Sequence, residues 1–464
     1  MFCIMNYILS IFSFILYYCA PSQYSFEFSV VCLVIFLINS YQLIRNDSKK
    51  NGVVNFNTIF LVSFFLCSYA FPVLLLPIGE IGYFYETTVT GLEEYTINKT
   101  TALNTFTISI YTIAYFSYRR KEIKEGTKIS LTPKFYRVLR VLLIIVSIAL
   151  IASIQLFSRS NKEAVSVTSN PFLYVLFYVL LTIFLVSVFT QSKALNFPFI
   201  TIVRKNLFVL GLIFIIVLLH MVVGDRGPIL TIGLILIGSY AVCYKKIKTK
   251  NIFFLALAGF FILAFIGITR GGDSSIRLSG FMGAIKNTSN IVSGKSLWFL
   301  FEDFTGRYME INCGYKYTLD YGYLYPFKII PIIFSPFPLI PSLLSHLFYG
   351  VPFADLSSVK VINETLFSDR DGWMGTHCVI DAYMSWGIIG VIIIYAIIGR
   401  VFAYISSNSK NNILLSSLYV ILLSCSLYMP RAIFFEFYRP FSWVLIIFYI
   451  LIMLSNSHVY RYKL

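Results

Sequence analysis

The sequence predicts an all-α integral membrane protein of about twelve transmembrane helices with one large loop on the outer face. Three observations carry this. Of the 464 residues, 58% are hydrophobic and 12% are charged, whereas a soluble domain carries roughly a quarter charged residues. The apolar residues are gathered into runs long enough to cross a bilayer. The 37 lysines and arginines fall mainly between those runs.

The runs lie near residues 3–20, 26–44, 56–78, 101–118, 138–157, 171–191, 206–223, 228–244, 251–269, 378–404, 412–429 and 440–455. Hydrocarbon offers no water to the backbone, so each run is expected to be helical. The first lacks a basic n-region and a small-x-small cleavage site, and reads as a retained helix. With the N-terminus inside, the inner segments hold Arg45, Lys49, Lys50, the basic stretch from Arg119 to Arg140, Lys193, Arg204, Lys205, Lys245, Lys246, Lys248, Lys250, Arg400, Lys410, Arg461 and Lys463. The positive-inside rule then places both termini in the cytoplasm and the long loop outside. The chain divides into nine helices over 1–269, a loop over 270–377, and three helices with a short tail over 378–464. The net charge of +16 is absorbed by topology and lipid headgroups, and no nucleic-acid partner is expected.

Within the loop, residues 326–350 are apolar but carry Pro326, Pro331, Pro336, Pro338 and Pro341. Proline breaks helices, so a clean span is not expected. The stretch either lies on the membrane face, packed against the bundle, or forms the core of the loop. The eight cysteines show no metal-ligand spacing. Only Cys313 and Cys378 fall in or beside the loop, where a disulfide between them is left open.

Candidate functional residues gather at the outer ends of the runs. The turn GDRGP, residues 224–228, joins two spans with almost no loop and leaves Arg226 at the membrane surface. An interfacial arginine either snorkels to lipid phosphate or serves a site, and we take Arg226 as a site candidate. Arg270 and Arg277 open the loop seven residues apart, a spacing that puts both on one face of a helix. Arg370 lies near the loop's end, and Arg431 and Arg439 flank Glu436 in the last outer turn. Guanidinium forks match phosphate oxygens bidentately, so a diphosphate suits several of these arginines. His377, where the loop meets the tenth span, is a candidate general base. Asp381 lies four residues on, and could orient His377 or be the base itself. His220 is a second candidate. Asp369 and Asp371 make an Asp-x-Asp triplet interrupted by Arg370, and no metal is expected. Walker, Gly-x-Ser-x-Gly, His-Glu-x-x-His and Cys-x-x-Cys motifs are absent, and no cofactor is expected.

A dozen spans, a Gly-x-Arg-Gly turn, a long late outer loop and a proline-rich apolar stretch within it resemble the Wzy-type O-antigen polymerases. So does the acid, tyrosine and Gly-x-x-Gly step formed by Asp381, Tyr383, Gly387 and Gly390. The resemblance implies a GT-C-like polymerase/ligase architecture and a bacterial inner-membrane enzyme. Such an enzyme joins undecaprenyl-diphosphate-linked oligosaccharide repeat units into O-antigen or capsular polysaccharide at the periplasmic face. Partners would be those lipid-linked units, membrane lipids and a chain-length regulator protein. Arg226 matches the family's diphosphate-binding arginines by motif; the other arginines match by location. The chain departs from the family in having Phe337 between Pro336 and Pro338, where a basic residue is common, and Asp381 where many members have Glu. An O-antigen ligase shares the architecture and stays open as an alternative. A lipid-linked oligosaccharide flippase or transporter is the non-enzyme alternative. Nearly uncharged spans and polar groups at the outer face favour interfacial chemistry over translocation.

Overall fold

The computed structural model describes residues 2–79, 94–118, 127–154, 171–223, 225–248, 250–251, 254, 259, 302–324, 329–337, 339–366, 375–410, 412–455 and 458–461. A helix stands at each predicted run that falls among them: α1 (Phe2–Tyr18), α2 (Phe26–Asn51), α3 (Phe56–Ser68), α4 (Glu94–Ser117), α5 (Pro133–Ser153), α6 (Pro171–Ala194), α7 (Phe199–Lys205) leading into α8 (Leu207–Val223), and α9 (Arg226–Ser239). The helices α10 (Arg307–Tyr321), α11 (Ile329–Ile333), α12 (Ile340–Tyr349) and α13 (Ser358–Leu366) fall within the loop. They precede α14 (Cys378–Asn408), α15 (Ile413–Cys425) and α16 (Tyr438–Ser455). Most of the ninth run, 251–269, lies outside the described residues. Among the described residues six helices are long and apolar enough to cross a membrane, or up to eight if each bent pair, such as α7 with α8 at 82°, is one span.

Polar residues at the ends of the apolar runs start the helices where the sequence turns hydrophobic. Ser25, Asn55, Thr132 and Asn412 cap α2, α3, α5 and α15, each side chain accepting a first-turn backbone N–H. The helix α4 is too polar to pass as a span alone, yet it is the buried centre of the bundle. Its hydroxyls bond back along the helix, Thr105 to Thr101 O at 2.9 Å, Thr107 to Leu103 O at 2.7 Å and Thr112 to Ile108 O at 2.7 Å. Their polarity is thereby consumed locally. The glycine Gly399 lets α14 press against α4: a Cβ there would fall 2.6 Å from the Tyr111 carbonyl oxygen.

The helix α14 is broken inside, at Trp386 and Gly387, the latter with φ +62°. Only glycine adopts that conformation without strain. The carbonyl of Met384, released from the helical ladder, accepts the Leu324 N–H at 2.6 Å. The Gly387–Gly390 step read from the sequence is thus a docking point for the end of α10.

The bundle has two ends. At one, strand β1 (Thr127–Ser130) pairs antiparallel with β2 (His458–Arg461), and Lys50 and Asn51 bond Ser407 and Ser406. This is the terminal end. At the other, the loop end, α10 to α13 meet the starts of α14 and α16. The pairing of β1 with β2 puts the segment after α4 and the C-terminal tail at one end of the bundle. The proline-rich stretch forms two short helices and no span. Trp443 Nε1 donates to Pro336 O at 2.9 Å, tying it to α16. Leu339, Leu343, Leu347 and Phe348 are exposed. It therefore packs on the bundle and turns an apolar face outward. Cys313 and Cys378 are both buried free thiols, so the disulfide left open by the sequence does not form.

Candidate functional site

Asp225 caps α9 by accepting the Gly227 N–H at 3.3 Å, which fixes Arg226 as the first helical residue. The same carboxylate approaches His220 Nδ1 at 4.0 Å, and His220 Nε2 meets the Tyr174 hydroxyl at 2.9 Å. The tight turn between α8 and α9 thus orients a buried imidazole between a carboxylate and a phenol. Asp225 and Tyr428 both lie within electrostatic range of the Tyr178 hydroxyl.

Tyr178 is a wall of a cavity of about 270 Å³ at the loop end. The cavity lies between α6, α9, α15, the turn before α16 and the proline-rich segment, and Thr231, Tyr428, Glu436 and Arg439 also line it. Arg439 donates through Nε to Ser335 O at 3.2 Å and stacks over Phe172 at 5.2 Å. That single bond leaves its two terminal nitrogens uncommitted among the described residues. Glu436, on the same wall, is exposed. Arg431 lies over the Tyr428 ring at 5.5 Å and over Phe304 at 5.3 Å.

The structure therefore gathers the Arg226 turn, Arg431 and Arg439 around one end of the bundle. Arg270, Arg277 and Arg370, and with them Asp369 and Asp371, lie outside the described residues.

His377 and Asp381 are both fully buried. His377 is the N-cap of α14: Nδ1 accepts the Val379 N–H at 3.3 Å, and Nε2 faces the Ser68 hydroxyl at 3.1 Å. An accepting Nδ1 places the proton on Nε2, which then donates to Ser68. Burial pushes the imidazole down to about 3, so it is neutral at ordinary pH. Asp381 accepts the Phe434 N–H at 3.2 Å and so pins the turn before α16. Asp381 does not orient His377, because the imidazole is already held by Ser68 and its own helix. The reason is geometric. The four-residue backbone bond is made, Asp381 N–H to His377 O at 2.9 Å, but the cap's extended backbone, φ −120° and ψ 136°, aims the imidazole at Ser68 and the Val379 N–H.

A further cluster was not singled out from the sequence. Arg307, first residue of α10, bonds Glu310, whose Oε1 also accepts the Gly375 N–H at 2.6 Å. A Cβ at Gly375 would fall 2.6 Å from Arg307 Nη1, so a side chain there would push the Arg307–Glu310 pair aside. Burial raises the Glu310 carboxyl above its ordinary value, with Arg307 offsetting part of the effect. Arg431 lies within electrostatic range of the same carboxyl. The signal was present in the sequence as an Arg-x-x-Glu pair at helical spacing in a stretch of low hydropathy.

Six to eight span-capable helices among the described residues define a multi-pass membrane protein. The family model of O-antigen polysaccharide polymerase Wzy matches residues 2–463, and the chain belongs to that family. No curated protein and no solved structure matches the chain. Family membership makes it a membrane protein of polysaccharide biosynthesis with a glycosyltransferase-like polymerase activity.

Proposed function

We propose that the loop end faces the periplasm of the inner membrane and that the cavity beside Arg439 and Glu436 is where repeat units are joined. The donor is a growing chain on undecaprenyl diphosphate, and the acceptor is a terminal sugar hydroxyl of a second lipid-linked unit. The glycosyl C–O bond to the diphosphate breaks as a new glycosidic C–O bond forms. The acceptor proton passes to a carboxylate, and the lipid diphosphate leaves with its charge held by guanidinium groups. A glycosyl diphosphate is already activated, so the chemistry is positioning plus charge stabilisation.

The observation that carries this reading is the shared wall of Arg439 and Glu436 in a cavity bounded partly by lipid-depth helices. Arg439, Arg431 and Arg226 bind the diphosphates, joined by Arg270, Arg277 and Arg370 of the loop. Glu436 serves as base in preference to His377 or Asp381, since both of those are buried and already bonded. The loop 270–377 is periplasmic and both termini are cytoplasmic. Reporter fusions after Lys250 read cytoplasmic, and fusions near Lys316 read periplasmic.

The direct test is polymer length in a deletion strain complemented with each variant, with membrane protein level checked by immunoblot. Deletion leaves the surface glycan capped by a single repeat unit. Glu436→Gln lowers polymerisation about 10²–10⁴-fold, and Arg439→Ala lowers it about one to two orders of magnitude. Full-length polymer from a normally accumulated Glu436→Gln protein assigns the base elsewhere. Complete loss of lipid-linked units from the periplasmic side on deletion points to a flippase.

A further inference from the structure

The half of α10 that emerges from the bundle carries tyrosines in two layers. The lower layer is closed: Tyr17 and Tyr383 share a hydroxyl–hydroxyl bond of 2.8 Å, and Tyr315 stacks on Tyr383 with ring centroids 5.4 Å apart. The upper layer is open. Tyr321 is 61% exposed and stacks on Tyr317 at 5.0 Å, and Tyr323 is 59% exposed with its edge on Tyr383 at 5.9 Å. Tyr18, 58% exposed, lies against Tyr17 at 5.3 Å.

These rings differ from the other exposed apolar face at this end. Around α12 the exposed apolar residues are mainly aliphatic, Leu339, Leu343 and Leu347 with Phe348, and only Ser342 and His346 are exposed polar groups beside them, a face suited to the membrane surface. Around Tyr321 the exposed rings are interleaved with Asp320, itself exposed, half-exposed Lys316, and one exposed aliphatic residue, Leu319. A carboxylate is costly against acyl chains, so this surface faces water. Flat rings with hydroxyl edges, beside a carboxylate and an ammonium, match a ligand with apolar C–H faces and hydroxyl rims.

The surface is also tied to the arginines. Gly314 lets α10 lie flush on α14, since a Cβ there would fall 2.5 Å from Ile380 Cγ1. The kink at Gly387 seats Tyr323, whose ring would be 2.8 Å from an added Cβ. The helix is thus rigidly placed, with Arg307 at its start beside Glu310 and Arg431. Tyr321 at its end lies about 21 Å away at the α-helical rise.

We propose that Tyr321, Tyr323 and Tyr317, with Asp320, form a saccharide-binding platform that holds the glycan chain at a distance from the diphosphate site. The proposal rests on the polymerase reading, and names where the sugars of that reaction lie. The platform binds delipidated polysaccharide, because it contacts rings and hydroxyls and no lipid.

The experiment titrates the purified full-length protein with polysaccharide released from the same strain by mild acid. The wild-type protein binds it. Tyr321→Ala and the Tyr321→Ala/Tyr323→Ala pair bind about tenfold more weakly, while Tyr321→Phe/Tyr323→Phe, which keeps the rings, retains binding. Because Tyr323 also supports the kink, the single Tyr321→Ala protein decides if the pair fails to accumulate. Unchanged binding by Tyr321→Ala, or no binding by the wild type, overturns the proposal. The complemented deletion strain separates the two levels. A wild-type gene that does not restore polymer sinks the polymerase reading. Restored polymer with undiminished binding by Tyr321→Ala sinks the platform alone.

Discussion

Asp47 and Glu436 are carboxyls at opposite ends of one bundle, and their surroundings differ in kind. Asp47 is fully buried and accepts from Asn51, Asn57 and Ser406. Asn57 in turn accepts the Tyr111 hydroxyl at 2.7 Å, and Tyr419 accepts the Phe56 N–H at 3.2 Å. The space beside them is about 10 Å³, room for about one water. Glu436 instead stands on the wall of a cavity of about 270 Å³ with Arg439. Buried polar groups that satisfy one another fasten helices together, and groups that face a cavity are kept for a ligand. The terminal end is a lock joining α2, α3, α4, α14 and α15, and the loop end holds the open cavity proposed as the site.

Breaking the lock has the largest expected effect. Asp47→Ala strips three donors of their acceptor inside the bundle, costing about 3–5 kcal/mol of stability. Membrane protein level and thermal midpoint in detergent fall sharply, while polymer made per folded molecule is unchanged. A variant that accumulates normally but makes short polymer would place Asp47 in the function and erase the contrast between the ends.

Arg226 tests the contrast from the other side. A charge-assisted contact is worth about 1.5–3 kcal/mol, or one to two orders of magnitude in activity. Arg226→Ala should accumulate and make short polymer, and Arg226→Lys should be intermediate, because lysine keeps the charge and loses the fork. Full-length polymer from Arg226→Ala reduces Arg226 to a headgroup anchor.

What the sequence made legible follows from where each signal lives. The apolar runs marked the helices, because lipid leaves no other way to satisfy the backbone. Even α4 was found by length, although its threonines hide their polarity only through bonds seen in three dimensions. Arg431, Arg439 and the Arg226 turn were found because charge at the end of an apolar run is conspicuous. Arg307 and Glu310 were missed because the loop offers no apolar contrast against which a charged pair stands out. The spacing brought His377 and Asp381 together through a backbone bond, Asp381 N–H to His377 O, while the two side chains bond Ser68 and the Phe434 N–H instead, because His377 is the cap and its side chain leaves the helix at a different angle. The two short helices of the proline-rich stretch pack on the bundle through Trp443 and leave Leu339, Leu343 and Leu347 exposed, an arrangement that periodicity alone could not separate from a loop core.

The smallest predicted effect concerns His377, just outside the α14 span. Its imidazole is neutral in the fold because burial pushes it down to about 3. The unfolded chain titrates near the ordinary value of 6.5. A depressed folded pKa contributes stability that is present above about pH 6.5 and is lost as pH falls toward 3, at no more than about 1.4 kcal/mol per pH unit. Glu310 acts in the opposite sense. Its raised carboxyl contributes stability that is present at low pH and lost as pH rises through its folded value. The two are separated by subtraction. His377→Asn keeps a side-chain oxygen to accept the Val379 N–H and removes the titration. Between pH 6.5 and 5.0 the wild type should lose about 2 kcal/mol relative to His377→Asn, read from thermal midpoints of the two proteins in the same detergent. Parallel midpoints across that range would mean the imidazole takes up its proton in the folded protein, as a base open to solvent would, and would return His377 to the candidates for catalysis.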